Sequence, residues 1–254
     1  MQKLSVVIIT YNEEKNIERC LQSVLNVADE IIILDSFSTD QTVSIAEKHN
    51  AKVFNHEFLG YANQKNYANN LATYDLILSL DADEALSEEL RESILSVKKN
   101  IPFDAYKVNR LTNYAGTWIH HCGWYPDQKI RLFNKKNASW GGPRLHELLI
   151  LPKESKIGHL QGDLLHYSFH TEMDHLIQID KFTSISSKEL FDNGKKATFY
   201  HLYIKPSIRF FTDYIIKLGI LDGRAGFIVC KNAYKASYMK YSKLKKHWNE
   251  YYSS

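Results

Sequence analysis

The chain has 254 residues, 44% of them hydrophobic and 24% charged, the composition of an ordinary globular protein with a sizeable core. Cys20, Cys122 and Cys230 lie far apart without CxxC spacing, which excludes a disulfide framework and a zinc site. No stretch approaches the roughly eighteen apolar residues of a membrane span, and "MQKLSVVIITYNEE" lacks a secretory signal, so the chain reads as cytoplasmic. The net charge of +3 hides an asymmetry: from Lys205 onward ten lysines and arginines face only Asp213, Asp222 and Glu250, and the rest of the chain is mildly acidic.

The first hundred residues alternate regularly. "LSVVIIT" (4–10) is a continuous β-branched run, the signature of a strand buried on both faces. "EEKNIERCLQSVLN" follows with Ile17, Leu21, Val24 and Leu25 at helical spacing and Asn12 as the expected cap. "EIIILDS" (30–36) predicts a second strand, and "STDQTVSIAEKHN" a second helix capped by Thr39 or Asp40. "AKVFNH", "YANQKNYANNLA", "DLILSL" (75–80) and "SEELRESILSVKK" (87–99) continue as strand, helix, strand and helix. Such alternation predicts a parallel sheet covered on both faces, with the ligand beyond the carboxyl ends of the strands.

After residue 100 the pattern changes. "FDAYKVNRLTNYAG" and "QKIRLFNKK" read as strands, joined by the aromatic, His-rich "GTWIHHCGWYPD". "SWGGPRLHELLI" and "GDLLHYSFHT" come next, then a helix over 172–193 and an amphipathic helical segment over 205–245, broken near "DGRAG". There is no internal repeat.

The polar tips of the strands carry the chemistry. The first strand is followed by neither GxGxxG nor GxxxxGK[ST], which excludes a dinucleotide fingerprint and a P-loop. Asp35, at the end of the second strand, is suited to accept from a base N–H or a ribose hydroxyl; its alternative is a helix-capping role. "DADE" puts Asp81, Asp83 and Glu84 directly after an apolar strand, where crowded carboxylates repel one another unless a cation or solvent compensates. Two carboxylates one residue apart suit Mg²⁺ or Mn²⁺ that also binds substrate phosphates.

"VVIITYNEEKNIERCLQSV", "ILDSFSTDQT", "NQKNYANNLATYDLILSLDADE" and "GWYPDQKIRLF…LHE", in this order over roughly residues 4–170, resemble the family 2 inverting GT-A glycosyltransferases, nearest the bacterial enzymes like lipopolysaccharide-core β-1,4-glucosyltransferase. The resemblance implies an α/β GT-A fold, Rossmann-like, with a mostly parallel sheet flanked by helices and a C-terminal amphipathic helical extension. It implies a catalytic domain over 1–200, with a nucleotide-sugar half (1–100) and an acceptor half (101–200), and a basic tail over 201–254. Thr10, Tyr11 and Glu13 fall where the family holds base and ribose, and Asp35 matches its uracil-contacting Asp. Asp81 and Asp83 match its metal-binding DxD, with Asp83 the more direct ligand of Mg²⁺ or Mn²⁺ and Asp81 also near the ribose. Lys65 and Asn66 fall in the segment lining the donor pocket. The family's Asp-Asp-Gly-Ser becomes "DSFS" here, with Ser36 and Phe37, a departure at the position of any second carboxylate contact.

For the base that takes the acceptor's proton, "LHE" offers Glu147 with His146 beside it; otherwise Glu147 opens a surface strand. His166 resembles a metal or diphosphate contact of some GT-A enzymes, or is a satisfied core histidine. Arg131 and Lys129 suit contact with the diphosphate or the acceptor, the resemblance favouring Arg131 in the donor site; otherwise they form an alternating, half-exposed strand. His120 and His121 point to opposite faces of a strand and suit an acceptor loop better than a metal. In the tail, Phe210, Phe211, Tyr214, Ile215 and Leu218 recur among Lys205, Arg209 and Lys217, and Tyr234, Tyr238 and Tyr241 among Lys235, Lys240 and Lys243. That pattern fits either the cytoplasmic face of the inner membrane or packing on the catalytic domain.

The implied function is metal-dependent transfer of a hexose, from a nucleotide sugar such as a UDP-hexose, to a saccharide or glycolipid in bacterial lipopolysaccharide or cell-surface glycan synthesis. The rivals are nucleotidyl transfer, which normally shows a Gly-rich basic loop after the first strand, and a non-catalytic saccharide- or membrane-binding module. Nucleic-acid binding has no supporting motif.

Overall fold

The computed structural model describes residues 1–142 and 147–253. It falls into two compact units, Met1–Arg110 with Asp127–Tyr167, and Leu111–Pro126 with the chain from Ser168 onward.

The first unit opens with β1 (Leu4–Thr10), α1 (Ile17–Val24), β2 (Glu30–Asp35), α2 (Thr42–Lys48), β3 (Lys52–Asn55), α3 (Tyr61–Leu71) and β4 (Leu76–Asp81). β1 pairs in parallel with β2 on one side and β4 on the other, and β3 lies beyond β2. The uninterrupted apolar run of β1 follows from burial on both faces. Leu4, Val6 and Ile8 pack with Ile17, Leu21 and Val24 of α1, while Val7 packs on the opposite face with Ile32, Leu34 and Ala68.

Two expected caps are corrected. Asn12 has φ 53° and accepts from Thr39 N at 2.8 Å, so it ties two loops together, and α1 starts only after Asn16. A short polar side chain tolerates that left-handed backbone. The capping position of α2 falls on Gln41, with the Asp40 carboxylate accepting from Thr42 N and Glu14 N just before it.

Beyond β4 come β5 (Glu84–Leu86), α4 (Glu88–Lys99), β6 (Ala105–Tyr114), β7 (Thr117–Ile119), β8 (Asp127–Asn134), β9 (Ser139–Gly141), β10 (Leu148–Ile150) and β11 (Ile157–Phe169). Among the described residues the main sheet runs β3-β2-β1-β4-β8-β6-β11-β5, with β7 beside β6 and β9 and β10 forming a separate pair. The parallel half therefore continues into an antiparallel half: the α/β fold is the one expected, with a mixed sheet in place of a mostly parallel one. β5 has no forerunner in the sequence reading; three residues are too few to show a period. It pairs antiparallel with β11 and sets Glu84 opposite His166.

The second unit contains α5 (Glu172–Asp192), α6 (Lys205–Phe211) and α7 (Gly223–Ser253). Wide helical turns at Tyr200–Ile204 and Thr212–Ile216 flank α6, and the expected break falls at Gly219–Asp222, after Leu218 at φ 55°. Leu202, Tyr241 and Leu244 form a small core with Leu190, Phe191 and Trp248. Among the described residues no helix is long and apolar enough to cross a membrane.

Candidate active site

In the order β3-β2-β1-β4 the chain direction of travel reverses between β1 and β4, which opens a crevice at the carboxyl ends of these strands. The register sets Thr10 beside Asp35 and Ile9 beside Asp81 there. Thr10 is buried and its Oγ1 has no hydrogen-bond partner, an orphaned hydroxyl at the crevice. Asp35 is buried; its carboxylate accepts from Ser38 N at 2.7 Å and Ser38 Oγ at 2.5 Å, bracing the turn that carries exposed Phe37. Tyr11 is exposed.

Glu13 donates its N–H to Thr42 Oγ1 and accepts from Asn16 Nδ2 at 2.9 Å. Burial pushes its carboxyl up to about 7, against the Asn16 bond and with help from the nearby charges of Asp83, Asp40 and Asp81. The crevice is thus short of positive charge on this side.

Asp81 has the opposite surroundings. Lys65 Nζ lies 2.9 Å from its Oδ1 and Arg131 Nη2 2.7 Å from its Oδ2, and these two cations hold the carboxyl far below the usual carboxylate range despite its burial. Lys65, 1% exposed on α3, also reaches Glu147 Oε1 at 3.0 Å and lies 4.7 Å over the Trp140 ring. Arg131 Nη2 contacts Glu84 Oε1 at 2.5 Å as well; burial works against its charge, and the carboxylates of Glu84 and Asp81 more than reverse this. Asn66 exchanges two hydrogen bonds with the backbone of Trp140, 2.8 and 2.7 Å, so its amide anchors β9 to α3. Lys129 pairs with Asp127.

A cavity of about 460 Å³ is bounded by Asp81, Glu147, Arg131, Trp140, Arg110 and Lys129, a volume in the range of small-molecule sites. Glu147 sits at its edge, immediately before β10. Its neighbour His146 lies outside the described residues. His120 and His121 belong to the second unit, where Asp222 accepts from both their backbone N–H groups and lies 2.7 Å from His121 Nδ1.

Among the described residues no three His, Cys, Asp or Glu side chains are arranged to hold a metal ion by themselves. Asp83 and His166 do converge, Oδ2 to Nε2 at 3.1 Å, because β5 and β11 pair at this point. One carboxylate and one imidazole, completed by phosphate oxygens and water, fit a hard divalent ion. Asp81 has an oxygen on each of two cations, which leaves it less free to take a metal ion than Asp83.

The structure therefore gathers Thr10, Glu13, Asp35, Lys65, Asp81, Asp83, Arg131, Glu147 and His166 in one unit. Glu84 and Trp140 were given no role by the sequence reading. Glu84 is wholly buried, accepts from Asp81 N at 3.1 Å and faces Arg131 and Arg110. Its signal was available: it is the third carboxylate of "DADE".

The sequence pattern of glycosyl transferase family 2 matches residues 5–146, more than half the chain. The chain belongs to this family. An uncharacterized glycosyltransferase of Rickettsia typhi is 35% identical over 90% of this chain and 82% of its own. The lipopolysaccharide core biosynthesis glycosyltransferase LpsC of Rhizobium meliloti is 27% identical over 89% of this chain and 85% of its own. Among solved structures, S. aureus TarS 1-349 in complex with UDP has a TM-score of 0.47 at 17% identity, covering 98% of this chain and 92% of that one. Glucosyl-3-phosphoglycerate synthase of Mycobacterium tuberculosis, crystallised with Mn²⁺ and UDP, has a TM-score of 0.38 at 22% identity over 44% of each chain. This family 2 chain is a glycosyltransferase.

Proposed function

We propose that this glycosyltransferase moves a hexose from a UDP-sugar, with inversion, to a hydroxyl of a saccharide or glycolipid acceptor during assembly of bacterial lipopolysaccharide or a related surface glycan. The observation that carries the reading is Lys65: one buried ammonium joins Asp81, at the end of β4, to Glu147, and both carboxylates border one cavity. The relative that acts in lipopolysaccharide core biosynthesis supports the choice of acceptor class.

In this reading Thr10, Tyr11, Glu13 and Asp35 flank the base and ribose, and Asp81 with Arg131 fixes the wall beside the diphosphate. Asp83 and His166 would hold Mg²⁺ or Mn²⁺, which supplies positive charge to the departing nucleoside diphosphate. The acceptor hydroxyl gives its proton to Glu147 as its oxygen bonds to the anomeric carbon and the bond to the diphosphate oxygen breaks. A single displacement inverts the centre and needs no covalent enzyme intermediate.

Purified protein given UDP-sugars, Mn²⁺ and candidate acceptors should release UDP only when an acceptor is present. Glu147→Gln should lower kcat by about 10²–10⁴ while donor binding stays unchanged. Retained turnover would move the base elsewhere, and inorganic pyrophosphate as product would replace this reading with nucleotidyl transfer.

A further inference from the structure

The helical unit contains a second cavity, about 700 Å³, between α5, the stretch around α6 and α7. Its wall carries four cations, Lys205, Arg209, Lys217 and Lys240, against one carboxylate, Asp213. Asp213 is buried at 2% exposure and is shared between Arg209 and, at 2.9 Å, Lys217. Lys205 donates to the Tyr241 hydroxyl at 2.8 Å and Lys240 lies 4.9 Å over the Tyr241 ring. Both contacts leave a full positive charge uncancelled. His175, on the same wall, is held by burial at about 4 and is neutral near pH 7.

Positive charge left over in a concave site calls for an anion of matching size, and a phosphate is the common one. The rest of the lining is mixed, with Ile179, Phe182 and Ile208 among Gln178, Thr183 and Ser186. The same helical stretch also turns large apolar side chains outward: Ile208 is 53% exposed, Phe211 63%, Ile215 49% and Ile216 75%. A soluble phosphate ester has no use for such a surface; a lipid does, because apolar side chains enter the acyl boundary while cations hold the headgroup.

We propose that this cavity binds the phosphate headgroup of an anionic membrane lipid through Lys205 and Lys240, and that Phe211, Ile215 and Ile216 enter the acyl layer of the same bilayer. The site lies within the helical unit and does not rest on the transfer reaction.

The test is flotation of the full chain with vesicles of phosphatidylcholine alone and of phosphatidylcholine mixed with phosphatidylglycerol. Wild-type protein should float with the mixed vesicles only. The Lys205→Glu, Lys240→Glu double variant should lose about tenfold or more in partitioning. Lys231→Glu with Lys245→Glu changes the net charge of the tail by the same amount away from the cavity, and should retain most of the binding. Phe211→Ser with Ile216→Ser, at exposed positions where folding is not at stake, should also lose binding. Equal losses in the two lysine pairs would reduce the effect to diffuse charge and overturn the site, as would absence of flotation or equal flotation with both vesicle types. A thermal shift with soluble glycerol 3-phosphate that matches the shift with mixed vesicles would assign the cavity to a soluble ester and overturn the lipid.

Discussion

A lysine only 1% exposed needs counter-charges, and Lys65 has two, Asp81 and Glu147. Lys65→Met removes the shared cation and leaves Glu147 without its partner, while Asp81 keeps Arg131. The expected loss is about 3 kcal/mol in urea unfolding at pH 7, with a fall in kcat because Glu147 loses its orientation. Glu30 gives the pH counterpart. Burial alone would raise its carboxyl, but bonds from Lys52, Ser5 and Thr73 more than reverse this and hold it at about 2. A depressed carboxyl stabilises the fold above its unfolded value, near 4.5, and the contribution fades as pH falls toward 2. Glu30→Gln should therefore cost about 2 kcal/mol at pH 7, and in a pH series of denaturation midpoints the gap between wild type and variant should narrow as pH falls below about 4.5 and close near pH 2. Asp81 and Asp83 were legible in the sequence as a pair at a strand end. That Lys65 would join Asp81 to Glu147, 82 residues beyond Lys65 in the chain, was not, because pairing across the fold leaves no local pattern.

At the scale of elements, the join between α4 and β11 decides where His166 sits. Ser87 Oγ accepts from Leu90 N at 3.2 Å, capping α4, and also from Asp163 N at 3.0 Å, and Ser87 N returns a bond to Asp163 O. Gly162, next to it, has φ +85°, and a Cβ there would lie 2.3 Å from Leu90 N. Backbone cannot give way as a side-chain tip does, so Gly162→Ala should lose more than about 2 kcal/mol by thermal or urea unfolding. Ser87→Ala should lose about 1–2 kcal/mol, the value of a cap that serves two elements. Long, strongly patterned elements such as β1, β2, β4 and α4 were readable because periodicity over six or more residues outweighs local noise. The three-residue strands β5, β9 and β10 exist only because a partner strand lies alongside them.

For the whole molecule, the sequence reading follows the chain in order, whereas the compact units do not: residues 111–126 leave the first unit and 127–167 return to it. Hydrophobic period reports which face of an element is buried, not which unit it joins, so this return was invisible until the sheet was assembled. The proposed metal-assisted donor site lies wholly in the first unit, and its occupancy should register as stability. UDP with Mn²⁺ at about a hundredfold excess over Kd contributes roughly 2.7 kcal/mol, which for a chain of this size raises Tm by about 5–10 °C. With EDTA the increment from UDP should shrink to the small part contributed by base and ribose contacts. Asp83→Asn shifts the starting Tm by an amount of its own, so increments are compared and not midpoints; in this variant Mn²⁺ should add nothing to the UDP increment. An increment in wild type that EDTA leaves unchanged would mean that Asp83 and His166 meet for a structural reason, and that Lys65 and Arg131 alone face the diphosphate.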